Sequence, residues 1–258
     1  MKDIQNQRDT RNIEIDKVGV KNLRYSIVLN DKQHDKQHTI ATINMSVNLP
    51  HHFRGTHMSR FIEVLNRNRR EIDIHRMGDI MKEMKSVLNA KSANLELFFP
   101  YFKEKEAPIS RAKSLMEYKC QFVGSLNDKL KIYLGVSVPI ITLCPCSKEI
   151  SDYGAHNQRG EISVTLRFKG FLWIEDVIEI VEECGSGAVY SLLKREDEKF
   201  VTEKAYDNPN FVEDVVRNVA QKFNAIEDIL WYRVEVVSFE SIHNHDAYAC
   251  IEKHIQEP

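Results

Sequence analysis

The chain has no apolar run near the ~20 residues that a membrane-spanning helix needs. Its longest, around LGVSVPIITLCPC, is broken by proline and polar residues. It also has no charge excess: 36 Lys+Arg stand against 38 Asp+Glu, a formal net charge of −2. A nearly neutral chain without a like-charged tail gives no sign of nucleic acid or a membrane surface as partner. Neither standard glycine-rich phosphate loop is present, which removes support for a Rossmann or P-loop reading. Cysteines are few: Cys120, Cys144, Cys146, Cys184 and Cys250, an odd number at irregular spacing. A disulfide framework is therefore a poor reading, and the opening MKDIQNQRDTRNIEIDKVGV lacks an apolar signal core. The expectation is a cytoplasmic protein with reduced thiols, one or two of them used for metal binding or catalysis.

At 258 residues the chain can form one large domain or two smaller ones around a sizeable core. Residues 1–15 are polar and expected to be flexible or ordered by a partner subunit. Val18–Leu29 and His38–Leu49 predict two strands, the second alternating cleanly with Ala41, Ile43, Met45 and Val47 on one side; DKQHDKQ between them reads as a solvated hairpin loop. MSRFIEVLNRNR and DIHRMGDIMKEMKSVLNA predict two helices, the second with an apolar stripe of isoleucines and methionines suited to a core. A second strand pair follows from ANLELFFPYF onward, with a turn expected at Gly124–Asp128. Next come a strand at EISVTLRF, a helix at WIEDVIEIVEECG, a helix at PNFVEDVVRNVAQKFNAI and a strand at LWYRVEVVSFES. Strand pairs alternating with helices imply an α+β fold, two copies of an antiparallel sheet backed by helices on one face.

The densest chemistry lies in TLCPCSKEISDYGAHNQRGEISV. Cys144 and Cys146 stand one residue apart with Pro145 between them, and His156 follows in a polar, glycine-bounded loop. No second cysteine pair exists to close a four-ligand zinc knot. One thiol and an imidazole suit Zn²⁺ or Fe²⁺, and a carboxylate would also admit Mn²⁺; the bland alternative is two buried cysteines that only pack. Carboxylates abound in KREDEKFVTEKAYDNPNFVED (Glu196, Asp197, Glu198, Glu203, Glu213, Asp214), most of which read as a solvated charged loop, and residue type does not choose among them. Glu240, His243 and His245 in SFESIHNHDAY follow an apolar strand, and in an extended continuation the two histidines would share a face.

Taken together, LCPCSKEIS, GAHNQRGEI, KREDEKFVTEKAYDNPNFVEDVVR, SFESIHNHDA and, in the first half, VNLPHHFRGTHMSRF strongly resemble the GTP cyclohydrolases of type IB. The resemblance implies a tunnelling fold (T-fold) with two tandem modules, assigned here to 16–115 and 116–258, the second carrying the metal site. It implies homotetramers with active sites at subunit interfaces, GTP as substrate, and one divalent ion per site (Mn²⁺, Zn²⁺ or Fe²⁺). By motif it assigns Cys144, His156 and Glu198 to the metal, Glu213 to general base or alternate ligand, Glu240 to the guanine edge, and His243 to the purine or proton transfer. Lys194, Arg195 and Arg159 are candidates for the triphosphate, and Cys146 for a supporting thiol behind the ligand. Two rivals remain: a pterin- or deazapurine-processing T-fold enzyme with Cys144 as covalent nucleophile, and a non-catalytic purine-binding metal module.

Overall fold

The computed structural model describes residue 5 and residues 7–68 and 72–255. By contact density the chain divides into two compact units, residues 1–100 with 121–134, and residues 101–120 with 135–258. A single cut between 115 and 116 falls inside a strand, so the units interleave along the chain.

In the first unit, β1 (Ile15–Asp31) and β2 (Asp35–Leu49) form a long antiparallel hairpin, and β2 pairs with β3 (Ala93–Glu106) through Thr42↔Phe98 to Val47↔Ala93. The hairpin loop is shorter than DKQHDKQ suggested, because Asp31 closes it locally. Its Oδ1 accepts the N–H groups of Gln33 and His34, and pairing resumes at Asp35. α1 (Met58–Asn68) buries Phe61, Val64 and Leu65; α2 (Met77–Val87) buries Met77, Ile80, Met81 and Met84. Both stripes follow the i, i+3, i+4 spacing of an amphipathic helix. The turn expected at Gly124–Asp128 begins later, since Gly124 is still within β4 (Lys113–Leu126). A Cβ there would stand 2.7 Å from Met81 Cε and 2.9 Å from Met77 Cε, so this glycine lets α2 approach the strand. The described part of the N-terminal segment has partners in its own chain: Asp9 N–H donates to His52 O, and Arg54 and Gly55 N–H donate to the carbonyls of Gln7 and Gln5.

In the second unit the strand order runs from the C-terminal part of β3 through β4, β5 (Leu130–Leu143), β6 (Asn157–Phe168) and β8 (Ile229–Ser238) to β9 (Ala247–His254), with the short β7 (Gly187–Ala188) against β5. α4 (Ile174–Glu182) buries Ile174, Val177, Ile178 and Val181, and α6 (Val212–Asn224) buries an apolar stripe from Val212 to Phe223. α4 also carries a row of carboxylates matched by β3: Tyr101 donates to Glu175, while Lys103 and Lys105 pair with Glu179 and Glu182.

Two expectations are corrected here. The acidic run read as a solvated loop is a helix, α5 (Arg195–Asp207), whose buried side chains are only Asp197 and Ala205. Asp197 is fully buried and holds the helix start, accepting from the backbone N–H groups of Ile109, Ser110 and Lys194 and from the Ser110 hydroxyl. Burial pushes its carboxyl up, but those hydrogen bonds outweigh it and hold the group well below the usual carboxylate range. The stretch after β8 does not continue extended: residues 241–245 bend back so that β9 can pair with β8.

Candidate active site

Four segments of the second unit converge on one cavity of about 310 Å³, lined among others by Thr142, Cys144, His156, Gln158, Glu213, Ser238, Glu240, His243 and His245. β5 ends at Leu143 and Pro145 opens the short helix α3 (Pro145–Ile150), so proline here starts a helix and leaves Cys144 as its N-cap. The Cys144 sulfur accepts the Ser147 N–H at 3.4 Å, and the Cys144 N–H donates to His156 O at 3.2 Å. His156 N–H in turn donates to Ser147 Oγ, so thiol and imidazole are stitched to each other by backbone. The helical turn carries Cys146 away: it is exposed and does not line the cavity, and Cys144 is half-buried, so neither packs as a buried cysteine. Burial pushes the Cys120 thiol up, and that of Cys184 up to about 11, which keeps both protonated at neutral pH.

Strand register brings the second wall. Gly160 pairs with Ser238, so the antiparallel ladder sets Gln158 opposite Glu240 just past the end of β8. Gln158 Nε2 lies 3.1 Å from Thr142 Oγ1, 3.0 Å from Ser238 Oγ and 3.3 Å from Glu240 Oε1; its Oε1 lies 3.0 Å from His156 Nδ1. Ser238 donates to Glu240 Oε1 at 2.9 Å, and Thr142 and Ser238 hydroxyls are 2.8 Å apart. His156 Nδ1 and Glu240 Oε2 are 4.0 Å apart, with both side chains mostly buried. The third wall is the start of α6, where Glu213 sits in the first turn, so its charge is favoured by the helix N-terminus. His243 and His245 come from the bend, their rings stacked with centroids 5.2 Å apart and planes 15° from parallel.

Cys144, His156, Glu213, Glu240 and His243 are thus brought together. Glu198 stands exposed in the first turn of α5 and does not line the cavity, nor do Lys194, Arg195 and Arg159. Among the described residues no three His, Cys, Asp or Glu side chains form a group able to hold an ion by themselves. The donors are nonetheless of the right kind. His156 Nδ1 lies 3.0 Å from Gln158 Oε1, which leaves Nε2 as the ring nitrogen available to an ion, and the Cys144 sulfur accepts the Ser147 N–H. Sequence reading missed Thr142, Gln158 and Ser238. Gln158 lay in the GAHNQR motif, but with β6 expected to begin at Glu161 the strand spacing that puts His156 and Gln158 on one side was hidden.

Comparison with known proteins now bears on this site. A family model described as Type I GTP cyclohydrolase folE2 matches residues 1–249. The GTP cyclohydrolase FolE2 of Syntrophotalea carbinolica is 60% identical over 252 residues, covering 98% of this chain and 95% of that one. The protein of the same name from Geotalea uraniireducens is 60% identical over 257 residues, covering 100% and 95%. Among solved structures, a uricase from Bacillus fastidious aligns with a TM-score of 0.59 at 6% identity over 92% of this chain and 93% of that one. The uricase of Arthrobacter globiformis aligns with a TM-score of 0.51 at 10% identity, covering 94% and 93%. At such identities these likenesses speak of fold alone, and the fold is the α+β tunnelling fold read from the sequence. With its family model spanning residues 1–249 and relatives of this identity along nearly the whole chain, the protein belongs to the Type I GTP cyclohydrolase folE2 family.

Proposed function

We propose that this chain hydrolyses the imidazole ring of GTP, giving 7,8-dihydroneopterin triphosphate and formate at the entry to tetrahydrofolate synthesis. The observation that carries the reading is the convergence of Cys144, His156, Glu213, Glu240 and His243 on one cavity in a chain of this family. In this reading Glu240 grips the guanine edge, since a carboxylate can accept the ring N–H and the exocyclic amine together. Ser238 and Gln158 orient Oε1, and Oε2 stands 4.0 Å from His156 Nδ1, so the lone pairs of Oε2 are the ones open to the guanine donors. Water must add at C8 of the purine, and a second hydrolytic step must release C8 as formate. Glu213 takes the proton from the attacking water, and His243 returns one to the ring nitrogen as the C–N bond breaks. The sugar ring then opens and rearranges to a ketone, which condenses with the amine freed from C8 and closes the dihydropterin ring; that condensation releases one of the two waters consumed and needs acid and base help from the same groups.

A divalent ion (Mn²⁺, Zn²⁺ or Fe²⁺) would be held by Cys144 and His156; Glu198, which stands outside this cavity in the single chain, is the proposed third donor, brought in by the proposed assembly. When bound, it lowers the pKa of water towards neutrality. The proposed assembly is a homotetramer in the cytoplasm. No helix among the described residues is long and apolar enough to cross a membrane. Incubation with GTP and Mn²⁺ or Zn²⁺, following formate and pterin absorbance, tests the reading. GTP binding without formate would leave a binding module, and full activity in metal-free protein would favour a covalent role for Cys144.

A further inference from the structure

We propose that Gln158 is a positioning residue that fixes which nitrogen of His156 carries the proton while holding Glu240 as an oriented acceptor; this rests on the functional reading above. Glu240 sets the polarity of the network. Its Oε1 accepts from the Ser238 hydroxyl at 2.9 Å and faces the Gln158 amide at 3.3 Å. A carboxylate oxygen only accepts, so the amide end turned towards it is the nitrogen. That orientation also satisfies the hydroxyl chain. Ser238 donates its one proton to Glu240, Thr142 donates to Ser238 at 2.8 Å, and Thr142 Oγ1 accepts from Gln158 at 3.1 Å. The opposite end of the amide is then an oxygen with no proton to give. It lies 3.0 Å from His156 Nδ1 and 3.2 Å from the Ser241 hydroxyl. Nδ1 must therefore carry the hydrogen, and in the neutral ring Nε2 keeps its lone pair.

One amide thus couples two functions. Its donor end orders the acceptor that reads the substrate, and its acceptor end leaves a lone pair on Nε2 of the imidazole that would bind the ion. Thr142 and Ser238 are each 2% exposed, so their hydroxyls cannot easily turn to water and reverse the polarity of the chain.

The test compares Gln158→Met, which removes both ends at similar volume, with Ser238→Ala, which removes the hydroxyl that donates to Glu240 and accepts from Thr142 and Gln158 Nε2 but leaves Gln158 Oε1 against His156. Histidine ¹⁵N spectra of metal-free protein report the tautomer, titration with Zn²⁺ or Mn²⁺ reports affinity, and GTP kinetics report KM against kcat. Gln158→Met is expected to lose the Nδ1–H preference, to weaken metal binding by about 10- to 100-fold and to raise KM. Ser238→Ala is expected to keep the tautomer, to hold metal affinity within about threefold and to raise KM alone. An Nε2–H tautomer in the wild type overturns the proposal whatever the variants do. So does a Gln158→Met protein with wild-type tautomer and metal affinity. Were the wild type to release no formate from GTP, the functional reading would fall, while the tautomer in metal-free protein would still decide the role of Gln158.

Discussion

Replacing Cys144 by serine separates chemistry from structure at this site. The Cys144 sulfur does two things: it caps α3 by accepting the Ser147 N–H at 3.4 Å, and it presents a soft donor to the cavity. Serine is a preferred N-cap, so Cys144→Ser retains the first role and removes the second, whereas Cys144→Ala removes both. Loss of a cap costs about 1 kcal/mol, which in a chain of this size lowers Tm by roughly 2–4 °C. The expected pattern is a Tm near wild type for Cys144→Ser and a small drop for Cys144→Ala, with turnover lost in both. Residues supporting a metal ligand are worth 10- to 100-fold, so removing Cys144, a ligand in the proposed function, should leave less than about 1% of activity. Cys146→Ala, at an exposed position off the cavity, should stay within about twofold of wild type. The assay is formate release beside a thermal melt. A Cys144→Ser enzyme with more than a tenth of wild-type turnover would refute the donor role, and equal losses in Cys144 and Cys146 variants would refute the geometry.

Three further perturbations read the scaffold. Tyr101, fully buried, donates to the 3% exposed Glu175, so Tyr101→Phe should destabilise by about 2 kcal/mol. The loss should shrink in a Glu175→Gln background, and urea titrations with no difference between backgrounds would contradict a charge-assisted bond. The Asp197 carboxyl is held below its unfolded value, so its stabilisation is present above about pH 4 and is lost as pH falls through the lower folded value. Asp197→Asn should lose stability at neutral pH and show a shallower acid decline than wild type in melts from pH 6 to pH 2; parallel curves would remove Asp197 from acid unfolding. At Gly124 a leucine must displace the ends of Met77 and Met81, costing about 1–3 kcal/mol. Alanine should cost less because methionine tips can yield, and a neutral Gly124→Leu would show that α2 is not packed there as described.

What the sequence made legible follows the strength of each periodic signal. The apolar stripes of α1, α2, α4 and α6 are formed by the residues those helices bury, and the alternation of β2 was readable because one face is core. α5 was hidden because it buries no apolar stripe: Asp197 and Ala205 alone face inward, and its charged face imitates a loop. β9 was hidden because its side chains are exposed or half-buried, so no core face writes an alternation. The cavity itself divides in the same way. Cys144, His156, Glu213, Glu240 and His243 were found because their motifs are long and specific, but the polar chain that ties them is a property of register. Gly160↔Ser238 is one of the alignments, two residues apart, that keep the same faces of β6 and β8 inward. A slip of two residues would keep every core side chain facing inward yet move Glu240 out of reach of Gln158. Core chemistry therefore selects the face of each strand, while the hydroxyl–amide–carboxylate chain requires one alignment within it. The backbone bonds from Phe239 to Arg159 and from Cys144 to His156 help to hold that alignment. The site is thus part of what specifies the fold, as well as something the fold presents.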